Sequence, residues 1–223
     1  MDPNPNLSPP PKRRVCTQCL RPQSACICHW VTPVIHATEV LILQHPLEIH
    51  HPKNSARLLH LSLPGSRILV GESWDAHAWS QALEGPKYTV LLYPLTGQTG
   101  QESPPSPEPA MLKDRANVRL VVIDATWRKS RKILHLNPAL QQLPRMTLDA
   151  VPQSRYLIRK AHKLGQLSTL EATCAALAQL GCSPAALDPL LTAFDGFVTQ
   201  QAQFSHPQPR QSPGTAPRCS QID

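Results

Sequence analysis

Four thiols fall within thirteen residues near the start of the sequence: Cys16 and Cys19 with two residues between them, and Cys26 and Cys28 with one. This pairing of C-x2-C with C-x-C brings four sulfurs together without a large fold, and four thiolates make the tetrahedral set of a closed structural zinc site. Partly buried or redox-active thiols are the other reading of the same spacing. A closed site has no open coordination position, so its work is to fold the proline-rich head and to present Lys12, Arg13, Arg14 and Arg21 to RNA. His29 could substitute for a cysteine, although a residue adjacent to Cys28 ordinarily points its ring away from that site.

A second constellation lies further along the chain. Asp124-Ala125-Thr126-Trp127 ends the most apolar run, Val118 to Ile123, and Arg128-Lys129-Ser130-Arg131-Lys132 follows at once. Strand carboxyl ends are where open α/β sheets place ligands. A carboxylate there can accept a proton from a substrate, or it can cap the next helix by accepting backbone N–H bonds. Trp127 offers a flat face on which a base can stack, a contact of about 1–3 kcal/mol, or it fills a core position. Arg128, Arg131 and Lys132 share a helical face by their i, i+3, i+4 spacing, and Arg155, Arg159 and Lys160 form a second basic cluster. Such cations either contact phosphates, which positions RNA without reading its sequence, or form a solvated helix face.

These groups need a scaffold. A length of 223 residues with 41% hydrophobic content fits one compact domain with decoration. Val40-Leu41-Ile42-Leu43, Arg67-Ile68-Leu69-Val70, Tyr88-Thr89-Val90-Leu91-Leu92 and Val118 to Ile123 read as strands that alternate with helical patterns. Continuous apolar strands predict an α/β fold: a mostly parallel sheet with helices on both faces. Ser168-Thr169-Leu170-Glu171 is a capping box that opens a helix carrying Leu170, Cys174 and Leu177 and stopped by Gly181. A second helix from Ser183-Pro184 carries Leu187, Leu191, Phe194 and Val198 on one face.

Proline is concentrated in the first eleven residues, between Pro104 and Pro109, and between Pro207 and Pro217. Proline without apolar periodicity does not build a core. The expected organisation is a flexible head at 1–14, a cysteine segment at 15–30, one catalytic domain at 31–203 with a loop at 97–112, and a flexible tail at 204–223.

The balance of 22 Lys and Arg against 15 Asp and Glu gives a net charge of +7, which suits a polyanionic partner such as RNA. No stretch approaches the roughly 18 apolar residues of a membrane span, and the start has no apolar signal segment. A cytoplasmic protein is expected, in which thiols stay reduced and the cysteine cluster binds metal rather than forming disulfides. Cys174, Cys182 and Cys219 carry no assigned chemistry, and no obligate protein partner is evident.

Asp-x-Thr-Trp after a hydrophobic strand resembles the motif that names the DTW-domain family. Other segments agree in order: Cys16 to Cys28, Gln44-His45-Pro46-Leu47-Glu48, Asn54-Ser55-Ala56-Arg57, Tyr93-Pro94, Leu143-Pro144-Arg145 and Leu167 to Ala172. The likeness runs from Cys16 to Phe197. Ala125 stands at the motif's variable position, and Ala161-His162 departs from the Ala-Pro often seen in relatives.

The resemblance implies a tRNA-uridine aminocarboxypropyltransferase, which moves the 3-amino-3-carboxypropyl group of S-adenosylmethionine to N3 of a uridine and releases methylthioadenosine. It implies a relationship to the SPOUT class, with a C-terminal trefoil knot around the cofactor. It places Tyr93, Pro94, Thr126, Trp127, Leu167, Ser168, Thr169 and Glu48 at the cofactor and nominates Asp124 as proton acceptor. Thr126 and Leu167 to Thr169 would act largely through backbone groups. Asn54 and Arg57 would orient a carboxylate or phosphate, and Arg57, Arg128, Lys129, Arg131, Lys132, Arg155, Arg159 and Lys160 would meet RNA. A methyltransferase using the same cofactor and a non-enzymatic, zinc-stabilised RNA-binding module are the competing readings.

Overall fold

The computed structural model describes residues 14–95, 104–154 and 166–205. The basic cluster Arg155, Arg159 and Lys160, Ala161-His162, Lys12, Arg13, the proline-rich terminal stretches and residues 97–103 of the expected loop lie outside the described residues.

The four apolar runs form β1 (Glu39–Gln44), β2 (Arg67–Val70), β3 (Tyr88–Leu92) and β4 (Val118–Asp124). A fifth strand, β5 (Arg145–Met146), is too short for any periodicity to mark. The strands form one sheet in the order β2-β1-β4-β3-β5, and every pairing is parallel. Side chains alternate between the faces of a strand, and here both faces are covered. Val40, Ile42, Val90, Leu120 and Val122 pack on one side with α1 (Ala56–Ser62), α5 (Thr169–Gln179) and α6 (Pro184–Ser205). Leu41, Leu43, Leu91 and Val121 pack on the other side with α2 (Ala76–Ala82), α3 (Trp127–Leu136) and α4 (Pro138–Gln141). Burial of both faces explains why the strands read as unbroken apolar runs.

The start of α5 is fixed as expected. Ser168 Oγ accepts from the Glu171 amide at 3.2 Å, and the Glu171 carboxylate accepts from the Ser168 amide at 2.8 Å. Gly181, at φ +87°, ends the helical segment in the left-handed conformation, and the Cys182 amide donates back to the Leu177 carbonyl at 2.8 Å. The buried stripe of α6 is wider than its spacing suggested: Leu190 and Phe197 are fully buried with Leu187, Phe194 and Val198, while Leu191 is only partly so.

The cysteine segment packs onto this core. Cys19 and Ile27 belong to the α1/α5/α6 side, Trp30 Nε1 donates to Gln200 Oε1 at 2.7 Å, and Gln200 Nε2 donates to the Cys26 carbonyl at 3.1 Å. No helix among the described residues is long and apolar enough to cross a membrane.

Candidate active site

The register of β1 against β4 sets Gln44 beside Asp124 at the carboxyl ends of both strands. Gln44 Nε2 donates to Asp124 Oδ2 at 2.9 Å, and Asn54 Nδ2 donates to the same oxygen at 2.6 Å. Thr169 Oγ1 donates to Asp124 Oδ1 at 2.7 Å. Asn54 is aimed by the start of α1, because its Oδ1 accepts from the Arg57 amide at 3.2 Å. Thr169 is aimed by the capping box one residue before it.

Asp124 is 4% exposed. Burial pushes its carboxyl above the ordinary aspartate range, the bonds from Gln44, Thr169 and Asn54 pull it back, and the charge of Glu48 adds to the rise. The helix-cap reading of Asp124 is corrected: Thr126 occupies the cap position of α3 and makes no side-chain cap bond. The Asp124 carboxylate is turned instead toward β1, the entry to α1 and α5.

A cavity of about 590 Å³ opens beside this cluster, within the usual range for small-molecule sites. Tyr93, Pro94, Thr126, Trp127, Leu167, Ser168 and Thr169 all line it, so three stretches far apart in the chain meet there. Glu48 and Asp124 do not line it. The remaining wall is mostly apolar, with Met146, Leu148 and Val151 on one side, and among the described residues that form it none is charged. The N-termini of α3 and α5 both abut the cavity and bring the positive ends of two helix dipoles to it.

Trp127 stands at the rim, 45% exposed, with its ring edge-on to Tyr93 at 6.0 Å. It is therefore not a core tryptophan. Tyr93 Oη lies 3.2 Å from Ser130 Oγ, and the Arg145 guanidinium carbon lies over the Tyr93 ring, 5.2 Å from its centroid. Arg145 is 8% exposed, and burial pulls its guanidinium below the ordinary arginine range.

The cations divide by direction. Arg128, Arg131 and Lys132 are exposed on α3, and Lys132 is ion-paired with Glu72. Lys129 turns inward and pairs with the buried Glu48 at 3.0 Å. Arg57 faces the cysteine loop, where its guanidinium donates to the Gln18 carbonyl. Arg21 does the same from the other side, donating to the carbonyls of Pro52 at 2.6 Å and Asn54 at 3.0 Å.

The four sulfurs of Cys16, Cys19, Cys26 and Cys28 lie within 4.8 Å of one another. Cys16 and Cys28 are 3.5 Å apart and Cys19 and Cys26 are 3.7 Å apart. Amide groups of Cys19 and Gln18 draw the Cys16 thiol down to about 6, while burial pushes Cys28 up to about 12. Four clustered thiols of this kind could hold a metal ion. His29 is not one of the clustered group.

Gln44, Ser130 and Arg145 were not singled out in the sequence as site residues. The signals for Gln44 are its place in the block Gln44 to Glu48 and a polar residue ending an otherwise apolar strand, and Arg145 closes the block Leu143-Pro144-Arg145.

The DTW domain family matches residues 13–202 of this chain. The chain is 33% identical over 187 residues to the tRNA-uridine aminocarboxypropyltransferase 2 of Drosophila melanogaster, covering 80% of this chain and 71% of that one. It is 27% identical over 205 residues to the Mus musculus protein of the same name, covering 86% and 65% respectively. It is 30% identical over 145 residues to the tRNA-uridine aminocarboxypropyltransferase A of Arabidopsis thaliana, covering 55% of this chain and 51% of the relative. The chain thus spans from about half to about seven tenths of these relatives' lengths. No solved structure matches it.

Proposed function

This chain belongs to the DTW-domain family, and we propose that it is a tRNA-uridine aminocarboxypropyltransferase that uses S-adenosylmethionine as donor. The observation that carries the reading is the meeting of Tyr93-Pro94, Thr126-Trp127 and Leu167 to Thr169 around one cavity, with a buried carboxylate held behind it. The bound sulfonium supplies an activated carbon and leaves as neutral methylthioadenosine. The chain's task is to direct the side-chain methylene, rather than the methyl, toward uracil N3. Alignment of this kind contributes at most roughly 7–11 kcal/mol to lowering a barrier.

In this reading the apolar wall beside Met146 and Leu148 receives the adenosine. The uncapped first turn of α3 supports the transferred group's carboxylate through backbone N–H groups, since none of the described residues lining the cavity is charged. Trp127, exposed at the rim, stacks the target base. The proton released from N3 passes to the Asp124 side of the cavity. Glu48 acts at one remove, by holding Lys129. Arg128, Arg131 and Lys132 meet tRNA phosphates beside the cavity, with Arg155, Arg159 and Lys160 as further candidates from the sequence. Arg57 is better read as a tie to the cysteine loop.

The finer fold reading, a SPOUT-related chain with a C-terminal trefoil knot around the cofactor, rests on the resemblance and is supported by the convergence of separate chain stretches at the strand ends. Zinc is the proposed metal: four sulfurs about 2.3 Å from one ion lie about 3.8 Å apart in a tetrahedron, two of the six pairs stand at 3.5 and 3.7 Å, and all four sulfurs lie within 4.8 Å of one another. Its role is structural. A reduced, thiol-dependent site is in keeping with a cytoplasmic enzyme, with a zinc segment at 15–30 and a catalytic domain at 31–203, which α6 extends to Ser205.

The deciding experiment incubates the purified chain with unmodified tRNA and S-adenosylmethionine and analyses nucleosides by mass spectrometry. Uridine gaining the aminocarboxypropyl mass is expected. A methyl adduct would overturn the reading in favour of a methyltransferase, and cofactor binding without any adduct on any RNA would leave only a binding module.

A further inference from the structure

Asp124 has no surface in the cavity. Its side chain is 4% exposed, and it is absent from the cavity wall that its neighbours Ala125, Thr126 and Ile123 help to form. Both of its oxygens are engaged. Oδ2 accepts two amide donors, from Gln44 and Asn54, and Oδ1 accepts the hydroxyl of Thr169. Amide N–H groups cannot pass a proton on without becoming anions. The hydroxyl can, because it accepts one proton as it gives up another. Thr169 lines the cavity, so among the described residues it is the one that both lines this space and gives a hydroxyl to the carboxylate.

The local structure leaves that hydroxyl free for this task. Ser168 and Glu171 close the capping box without it. A helical threonine ordinarily returns its hydroxyl to the carbonyl four residues back, as Thr173 does to the Thr169 carbonyl at 2.7 Å. Thr169, as the first residue of α5, has no such carbonyl within the helix and reaches a carboxylate 45 positions earlier in the sequence.

Resting on the proposed transfer to uracil N3, we infer that Thr169 is a catalytic residue: its hydroxyl takes the imide proton from N3 and passes its own proton to Asp124, which acts only through it. The step balances as follows. The N3–H pair attacks the methylene carbon and the N3–C bond forms. The S–C bond breaks with its electron pair going to sulfur, and the sulfonium becomes a neutral thioether. The N3 proton joins Thr169 Oγ1, the Thr169 proton joins Asp124 Oδ1, and the carboxylic acid returns its proton to solvent after product leaves.

Three variants of the full chain, Thr169→Val, Thr169→Ser and Asp124→Asn, test this with S-adenosylmethionine titrations and with single-turnover transfer to tRNA across pH. Thr169→Val is expected to bind S-adenosylmethionine as the parent does and to lose about 10²–10⁴-fold in transfer rate. Its residual rate should climb with pH as the imide ionises without help, about tenfold per unit. Thr169→Ser should restore transfer, and Asp124→Asn should reproduce both the loss and the climb. Full transfer by Thr169→Val with a dead Asp124→Asn would overturn the relay and leave the carboxylate's role standing. Full transfer by Asp124→Asn would instead remove the carboxylate from the mechanism. Loss of cofactor binding in Thr169→Val, or a low rate that does not respond to pH, would make the hydroxyl a positioning group and overturn the inference.

Discussion

The guanidinium of Arg21 donates to the main-chain carbonyl of Asn54 at 3.0 Å, and the side-chain amide of Asn54 donates to Asp124 at 2.6 Å. The cysteine loop and the buried carboxylate are therefore separated by one residue. Arg21 also donates to the Pro52 carbonyl and lies 5.2 Å from the centre of the Phe197 ring, so it ties the loop both to the entry of α1 and to α6.

Arg21→Ala should lower stability by about 1.5–3 kcal/mol, the range for hydrogen bonds made by a charged donor, and should weaken S-adenosylmethionine binding although Arg21 lines no part of the cavity. Urea unfolding and a cofactor titration measure the two effects. A variant as stable as the parent would show that the loop is held by its apolar contacts alone.

Purified protein should carry about one zinc per chain, and stripping it with a chelator should make the cluster's thiols reactive and lower the unfolding temperature, because structural metal binding is coupled to folding. Metal analysis, thiol titration and thermal unfolding report these in one preparation. An unchanged melting temperature after complete stripping would mean that the packing of Cys19 and Ile27 suffices.

Glu39 bridges Arg119 at 2.8 Å and Arg67 at 2.6 Å at the amino ends of the strands, and Arg119 is 1% exposed. Glu39→Gln leaves that guanidinium buried without its counter-charge and should cost about 3–5 kcal/mol at neutral pH. Although burial opposes it, the two guanidinium groups hold the Glu39 carboxyl below its ordinary 4.5. In such a case the folded state binds the proton less tightly than the unfolded one, so the stabilisation is present above 4.5 and fades as pH falls through the depressed value. The gap between parent and variant should therefore narrow on acidification below that point. A gap independent of pH would assign the loss to packing.

Trp127→Ala should weaken tRNA binding by about 1–3 kcal/mol if one base stacks on the ring, while Trp127→Phe should recover part of it. Because the ring is exposed at the cavity rim, its fluorescence should change on binding. Equal affinity of the alanine variant and the parent would remove the stacking role.

The sheet is legible because burial on both faces turns strands into apolar runs, as at Leu120 to Val122. Strand β5 is not, since two residues carry no pattern and only their pairing with Leu91 and Leu92 defines them. The carboxylate at the strand end could be picked out from Asp124 and its neighbours, but its partners could not. Gln44 and Asn54 lie 80 and 70 positions earlier, and only the register between β1 and β4 brings the first of them alongside. Charge patterning failed at Arg57 and Arg21 for a different reason: spacing locates a cation on the chain without saying which way a long side chain turns. Both turn inward to carbonyl oxygens. Thr169 was read for its backbone alone, because the adjacent capping box already accounted for the local pattern.

The strand order has a consequence for how the chain must be made. Strand β4 stands between β1 and β3 and is the fourth of the five to be synthesised. Until it leaves the ribosome, β1 and β2 can pair only with each other, and β3 has no neighbour in the sheet. Through that interval the apolar edge of β1 is open to pairing with other chains, the hazard of late-closing parallel sheets. The strand that ends in Asp124 is thus also the one whose arrival shields the nascent sheet from aggregation.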